Sequence, residues 1–369
     1  MNPPLLSPSR RLRRTPFSDG VEAQGVKAYT VYNHMLLPTV FESVENDYRH
    51  LKDHVQVWDV SCERQVEVKG PDALRLIQLL TPRDLSKISA NRCMYIPVTD
   101  QNGGMLNDPV LIQAAPDTYW ISIADSDLLM WVNGVAASNG FDVTVREPDV
   151  SPLGVQGPKS DDLMSRVFGD SVRDLRFFGC GRFDFQGHAM LVARSGYSKQ
   201  GGFEIYVEDG AIGMSLWDAL FAAGQDLNVR AGGPNLIERI ESGLLSYGND
   251  MTRDNSPLEC GLGHFVSDVQ LSHCFGGRAM AEERATGSAQ MIRPIAIHGD
   301  PVSRCDRIWP VYAQGMQVGQ ITSATWSPDF QTNVAIGMID RAHWDAGTAL
   351  EVQAADQIRP CTVQDKFWG

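Results

Sequence analysis

The chain has 369 residues, 43% hydrophobic and 21% charged, and a formal net charge of −13. That length exceeds one ordinary core and implies two or three domains, while the composition is that of a soluble globular protein. The acidic balance argues against nucleic-acid and anionic-membrane partners, and no apolar run reaches the roughly 18 residues of a membrane span. The basic run Arg10, Arg11, Arg13 and Arg14 has no apolar segment behind it. It is therefore not read as a secretory signal, and a cytoplasmic location is expected. The seven cysteines are scattered with no C-x-x-C pair, which argues against a disulfide framework and a zinc ribbon. No H-E-x-x-H motif occurs, and no metal site is expected. The oligomeric state stays open, with a homodimer as one expectation.

Along the chain, "RQVEVKGPDALRLIQLL" (64–80) predicts strand, tight turn and helix. Val66 and Val68 alternate with polar residues, and Leu74, Ile77 and Leu80 then fall at helical spacing. Pro71 pre-sets the helical entry, and Asp72 suits a positive helix N-terminus. "DQNGGMLNDPV" (100–110) is a glycine turn that delivers Asn107 and Asp108 to the start of an apolar strand. "TYWISIADSDLLMWVNGVAA" (118–137) predicts strand then helix. "LGVQGPKSDDLMSRVFG" (153–169) repeats the strand, Gly-Pro, helix order, an internal duplication. "MLVARSGY" (190–197) and "GGFEIYVEDG" (201–210) predict a strand pair, and "LIERIESGLLSYG" (236–248) a helix ending at Gly243. "EERATGSAQ" (282–290) is polar and is expected to be a domain boundary. Beyond it, "IRPIAIHG", "QVGQITSATW", "NVAIGMI" and "ALEVQAA" are short strands, the pattern of a small β-barrel or sandwich. The class is α+β, with residues 1–285 as one region of two interleaved subdomains and 290–369 as a C-terminal barrel domain.

These pieces resemble, in order, the folate-dependent aminomethyltransferases, the family of the glycine cleavage T-protein. The resemblance rests on "RTPF", "VWDVS", "VKGPDAL", "NGGMLND", "QGPK", "SGYSKQGGFEIYV", "RIESGLLSYGNDM", "SPLECGLG" and "GQITSATWSP". Each is weak alone; the ordered set is specific and covers nearly the whole chain. "YTVYNHMLLP", "LTPRDLSK" and "EPDVSPLGVQGPKS" are similar to the branch of that family that demethylates dimethylsulfoniopropionate. The resemblance implies a T-protein-like fold, tetrahydrofolate as co-substrate and a small sulfonium compound as methyl donor.

It also implies roles for particular residues. Asp108 is the acid that meets the reactive edge of the folate. A carboxylate about 4 Å from a developing charge, at an effective dielectric near 20, is worth about 4 kcal/mol, on the order of a thousandfold in rate. On the residues alone, Asp108 reads first as a turn-capping aspartate, and the resemblance reverses that order. Glu204 matches the glutamate that accepts from the pterin's aminopyrimidine edge. Tyr95 and Tyr197 match aromatics lining the folate pocket, and Arg239 an arginine that steadies the folate or the pocket wall. Strand alternation puts Tyr206 on the face of Glu204, so its ring is expected to meet the sulfonium. Phe178, with Phe177 beside it, is a second aromatic candidate. Lys199 is a candidate partner for the substrate carboxylate or a plain loop lysine.

Two other readings stay open. One is another folate-dependent methyl- or aminomethyltransferase, including a T-protein. Against a T-protein stands the loss of its G-A-R-D segment, replaced here by "GGPNLIE", and the loop "SKQGG". The other is a folate-binding protein of iron–sulfur maintenance, which carries K-G-C-Y-x-G-Q-E. "SHCFGGRAM" has Arg278-Ala279 where that motif needs Gln-Glu.

Overall fold

The computed structural model describes residues 7, 9–355 and 357–369. The chain forms two compact units. One takes residues up to Gln65 together with Pro148–Gly196 and Gln200–Pro234; the other takes Val66–Glu147, Tyr197–Lys199 and Asn235–Gly369.

In the first unit a six-stranded sheet runs in the order Cys180–Phe185, His188–Ala193, Gly202–Val207, Ser151–Gln156, Val55–Asp59, Val229–Gly232. Every neighbouring pair is antiparallel except the last, which is parallel. Phe203, Ile205 and Val207 enter the main core with Val55, Val57, Leu153 and Val155. The helices Ser160–Phe168 and Gly213–Ala223 give the same core Leu163, Met164, Leu216, Trp217 and Leu220. A hairpin of Ala28–Tyr32 and Met35–Val40 completes this unit.

The second unit holds a five-stranded sheet in the order Thr144–Arg146, Gln65–Lys69, Thr118–Ser122, Val110–Ala115, Met94–Tyr95. The helices Ala73–Leu80 and Leu128–Asn139 bury Leu76, Ile77, Leu80, Leu128 and Val132 on it. The predicted helix at 236–242 is Leu236–Ser242, stopped by Gly243 in the left-handed region at φ 67°. The same unit ends in a closed six-stranded barrel. Its strands include Gln290–Ile297, Met316–Ser327, Thr332–Asp340 and Ala349–Ala354, the four segments read as strands. Trp309–Ala313 and Gln357–Val363 complete it. The polar stretch at 282–290 is not a linker throughout: residues up to Thr286 are the end of the helix Gly277–Thr286.

Both strand, Gly-Pro, helix copies form as read, one in each unit. Gly70 and Gly157 have φ of 143° and 119°, and a Cβ on either would stand 2.4 Å from a carbonyl oxygen, of Asp142 and His54 respectively. Only glycine fits there. Asp72 stands at the N-cap of its helix, as its charge suits, without a side-chain cap bond. Its Oδ2 accepts from the Asp142 amide and its Oδ1 pairs with Arg75, so it also ties two segments together.

Candidate functional site

The second unit holds Asp108, the expected folate-facing acid. The turn before it closes on Asp100, whose Oδ1 accepts from the amides of Asn102 and Gly104. Gly104 permits this because a Cβ would lie 2.2 Å from the Arg253 carbonyl oxygen. Asn107 is fully engaged: its amide group donates to the Ala124 carbonyl and the Ser126 hydroxyl and accepts from the Ala124 amide. Pro109 follows Asp108 and restricts its backbone to extended conformations. The chain is thus clamped on both sides of one carboxylate.

The Tyr95 hydroxyl donates to Asp108 Oδ2 at 2.9 Å. Asp108 Oδ1 is shielded from solvent and has no hydrogen-bond partner among the described residues. Burial pushes this carboxyl up to about 7, against the opposing pull of the Tyr95 hydroxyl and a backbone amide; the charge of Asp250 adds to the rise. A buried acceptor left unpaired costs about 1–3 kcal/mol.

The surroundings of Asp108 are aromatic. The Tyr95 ring lies 5.1 Å from Phe265, over which Arg83 stacks at 4.6 Å. Tyr247 donates to the Met105 carbonyl at 2.9 Å, and its hydroxyl is pushed up to about 12 by burial and by the Asp108 charge. Tyr197 directs its hydroxyl to the carbonyls of Leu244 and Leu245, at 3.0 and 2.7 Å. Arg239 is deeply buried and spends its guanidinium on Asp250 (2.8 Å), Ser323 (2.6 Å) and the Leu244 carbonyl (3.3 Å). It joins a helix, a loop and a barrel strand. Lys199 is exposed, with its ammonium on the Gly369 carbonyl at 3.0 Å and its amide on Glu238.

In the first unit the corresponding carboxylate is Glu204. It sits on the sheet face opposite the main core, in one row with Trp58, Gly154 and Ala193. Glycine and alanine flank it on the adjacent strands. Glu204 Oε2 accepts from the Ser195 hydroxyl at 2.5 Å and the Tyr206 hydroxyl at 3.2 Å. Burial raises its pKa; the two hydroxyls oppose that rise. Tyr206 shares the face of Glu204, as alternation requires, but its ring is 0% exposed and its hydroxyl is engaged with the glutamate. Phe178 has φ 59°, rare for a bulky residue, and its ring meets that of Phe177 edge-on at 4.7 Å.

Residues 17–269 match the GCVT N-terminal domain, and residues 295–368 match the Glycine cleavage T-protein C-terminal barrel domain. The chain belongs to the glycine cleavage T-protein family. Within that family it is 61% identical over 361 residues, 98% of each chain, to the dimethylsulfoniopropionate demethylase DmdA of Ruegeria pomeroyi. It is 28% identical over 348 residues to the aminomethyltransferase of Bacillus pumilus, covering 93% of this chain and 94% of that one. The T-protein fold is matched by the glycine cleavage aminomethyltransferase of Bartonella henselae. That structure aligns with a TM-score of 0.85 at 21% identity, over 97% of this chain and 98% of its own.

For a T-protein family member, sequence reasoning missed several residues. Ser195, Tyr247 and Asp250 stand inside the quoted motifs "SGYSKQGGFEIYV" and "RIESGLLSYGNDM", and only their hydrogen bonds to Glu204, the Met105 carbonyl and Arg239 single them out. Trp58 stands inside the quoted "VWDVS", and only the strand register puts it in the row of Glu204. His50 and His54 do carry the i, i+4 spacing of a ligand pair. Both ring nitrogens of His50 are already engaged, by the Asn228 carbonyl and Gln56, and burial lowers its pKa to about 4. Among the described residues no group of three or more His, Cys, Asp or Glu side chains is placed to hold a metal, and no helix is long and apolar enough to cross a membrane.

Proposed function

We propose that this protein is a tetrahydrofolate-dependent demethylase. It moves one methyl group from dimethylsulfoniopropionate to N5 of tetrahydrofolate and yields methylmercaptopropionate and 5-methyltetrahydrofolate. The observation that carries this reading is the 61% identity, end to end, with a dimethylsulfoniopropionate demethylase, against 28% with an aminomethyltransferase. The substituted G-A-R-D segment and the "SKQGG" loop point the same way.

The reaction is an in-line displacement. The N5 lone pair forms the new N–CH3 bond, the S–CH3 bond breaks, and its electrons return to sulfur as a neutral thioether. Positive charge reaches N5, and the N5 proton then leaves. Asp108 is the group assigned to that charge and proton. Its Oδ1 is the unpaired buried acceptor, and a carboxyl titrating at about 7 is matched to proton transfer near neutrality. Glu204 is assigned to the pterin edge, with Tyr95, Tyr197 and Arg239 on the folate side. Tyr206, Phe178 and Lys199 are assigned to the sulfonium substrate. For Tyr206 the support is the shared strand face; contact through its ring requires the packing seen here to open. The region 1–285 is taken as the folate-binding part and 290–369 as the barrel domain. A cytoplasmic location and a homodimer belong to the same proposal, the latter checked by light scattering.

The deciding experiment is incubation of the purified protein with tetrahydrofolate and dimethylsulfoniopropionate. 5-Methyltetrahydrofolate should form in equal amount to methylmercaptopropionate. Formation only from glycine betaine or from an aminomethyl donor would replace this reading.

A further inference from the structure

Asp108 is a carboxylate with two unequal oxygens, and the structure shows what makes them unequal. The groups whose charge or hydroxyl bears on it are Tyr95, Tyr247, Cys260 and Asp250. Asp250 has its charge matched by Arg239 and by the hydroxyls of Thr322 and Ser323. Cys260 is buried and its thiol is pushed well above the usual range, so it brings no charge. Tyr247 has one hydroxyl hydrogen, and that hydrogen is spent on the Met105 carbonyl. Arg253, the cation near Tyr247, is held by Asp100 at 2.7 Å. The Arg83 guanidinium is turned to the Tyr95 carbonyl and the Phe265 ring. That leaves Tyr95 as the side chain seen donating to Asp108, and it donates to Oδ2 alone.

We infer that Tyr95 is a positioning residue for Asp108: by holding Oδ2 it fixes the carboxyl plane and leaves Oδ1 as the oxygen that takes the proton. This deepens the proposed function, and its catalytic consequence rests on that reading. Asn107 restrains the backbone before Asp108 and Pro109 the backbone after it, while the side-chain bond to the carboxyl comes from the phenol. The phenol hydrogen bond favours the charged carboxylate. Tyr95 therefore also sets the pH at which Oδ1 becomes able to accept. Its own hydroxyl is pushed well above 10 by burial and by the Asp108 charge, so it remains a donor throughout the working range.

The test is Tyr95→Phe, which keeps the ring against Phe265. Protein labelled with carboxyl-13C aspartate is titrated by NMR, with Asp108→Asn identifying the resonance. The wild-type midpoint should lie near 7, and Tyr95→Phe should raise it by half a unit or more. Tyr247→Phe should leave it in place. In turnover, the acid limb of the pH profile should move up with the NMR midpoint, and kcat should fall severalfold with little change in KM. In the Asp108→Asn background, Tyr95→Phe should cost nothing further. An unmoved midpoint in Tyr95→Phe, an equal shift in Tyr247→Phe, or an equal loss of kcat in both backgrounds would overturn the inference. The NMR arm needs no methyl donor. If the protein makes no 5-methyltetrahydrofolate, the proposed function fails while the titration still decides whether Tyr95 governs Asp108.

Discussion

The two Gly-Pro repeats follow one path through their sheets. After strand, Gly-Pro and helix come three strands, a second helix and a last strand. In the second unit, written in order of appearance within the repeat, the sheet reads second, third, fourth, first, fifth. In the first unit it reads the same, with Val55–Asp59 inserted between the first and the fifth. The difference that matters for chemistry is the link between the second and third strands. In the later repeat Gln186 and Gly187 suffice, both at positive φ, as a two-residue hairpin requires. In the earlier repeat the link extends through residues 96–109 and carries a hairpin of its own, Val98–Thr99 with Met105–Asn107. Asp108 stands in that added link. The later repeat places its carboxylate, Glu204, within a regular strand. Burial alone does not mark such groups. Glu67 is as buried as Glu204, yet both its oxygens are taken, by the Trp120 indole and Arg146. The duplicated scaffold tolerates a buried carboxylate in each repeat, and Asp108 differs from Glu67 in keeping one oxygen without a partner among the described residues.

The largest expected effect comes from Asp108→Asn. Turnover should drop about a hundredfold or more, roughly 2.7 kcal/mol of transition-state stabilisation, with the fold intact. Near-wild-type turnover would equate Asp108 with Glu67. Stability should respond in the opposite sense. Asp108 titrates at about 7 against an ordinary 3.8, so the folded state binds this proton more tightly than the unfolded one. Its contribution is full below about pH 4 and is lost as the pH rises through 7. Asp108→Asn lacks that loss, so its Tm should gain on the wild type between pH 5 and pH 8. Thermal melts across that range check the sign.

Gly70→Ala and Gly157→Ala test whether the repeats are equivalent at their turns. Positive φ alone should cost about 1–3 kcal/mol in each, and the carbonyl contacts add to it. Urea unfolding should give similar losses, whereas a twofold disparity would show that the two turns are not mechanically alike. Glu204→Gln should raise the dissociation constant of tetrahydrofolate about tenfold, about 1.4 kcal/mol, and leave the sulfonium's nearly unchanged. Equal effects on both ligands would detach Glu204 from the pterin. Glu67→Gln should be the mildest. Arg146 is largely exposed, so losing its ion pair should cost at most about 1 kcal/mol and leave kcat unaltered. A loss of kcat there would break the distinction drawn from the unpaired oxygen.

The sequence by itself determined the duplication, because strand alternation, Gly-Pro and helical spacing are local patterns that read the same in both copies. It determined the family through ordered motifs, and it put Tyr206 on the face of Glu204, because a strand has a period of two. Four barrel strands were legible for the same reason. Trp309–Ala313 and Gln357–Val363 were not. Tertiary structure alone decided where the hydroxyls go. Tyr95 and Asp108 are brought together by a hairpin, and Arg239 meets Ser323 across 84 residues of sequence. The Tyr206 hydroxyl turns to the glutamate two residues before it, with its ring sealed from solvent. Hydrogen bonds of this kind depend on distances of tenths of an ångström. Composition and periodicity fix which face a side chain takes, and only packing fixes which oxygen is left without a partner.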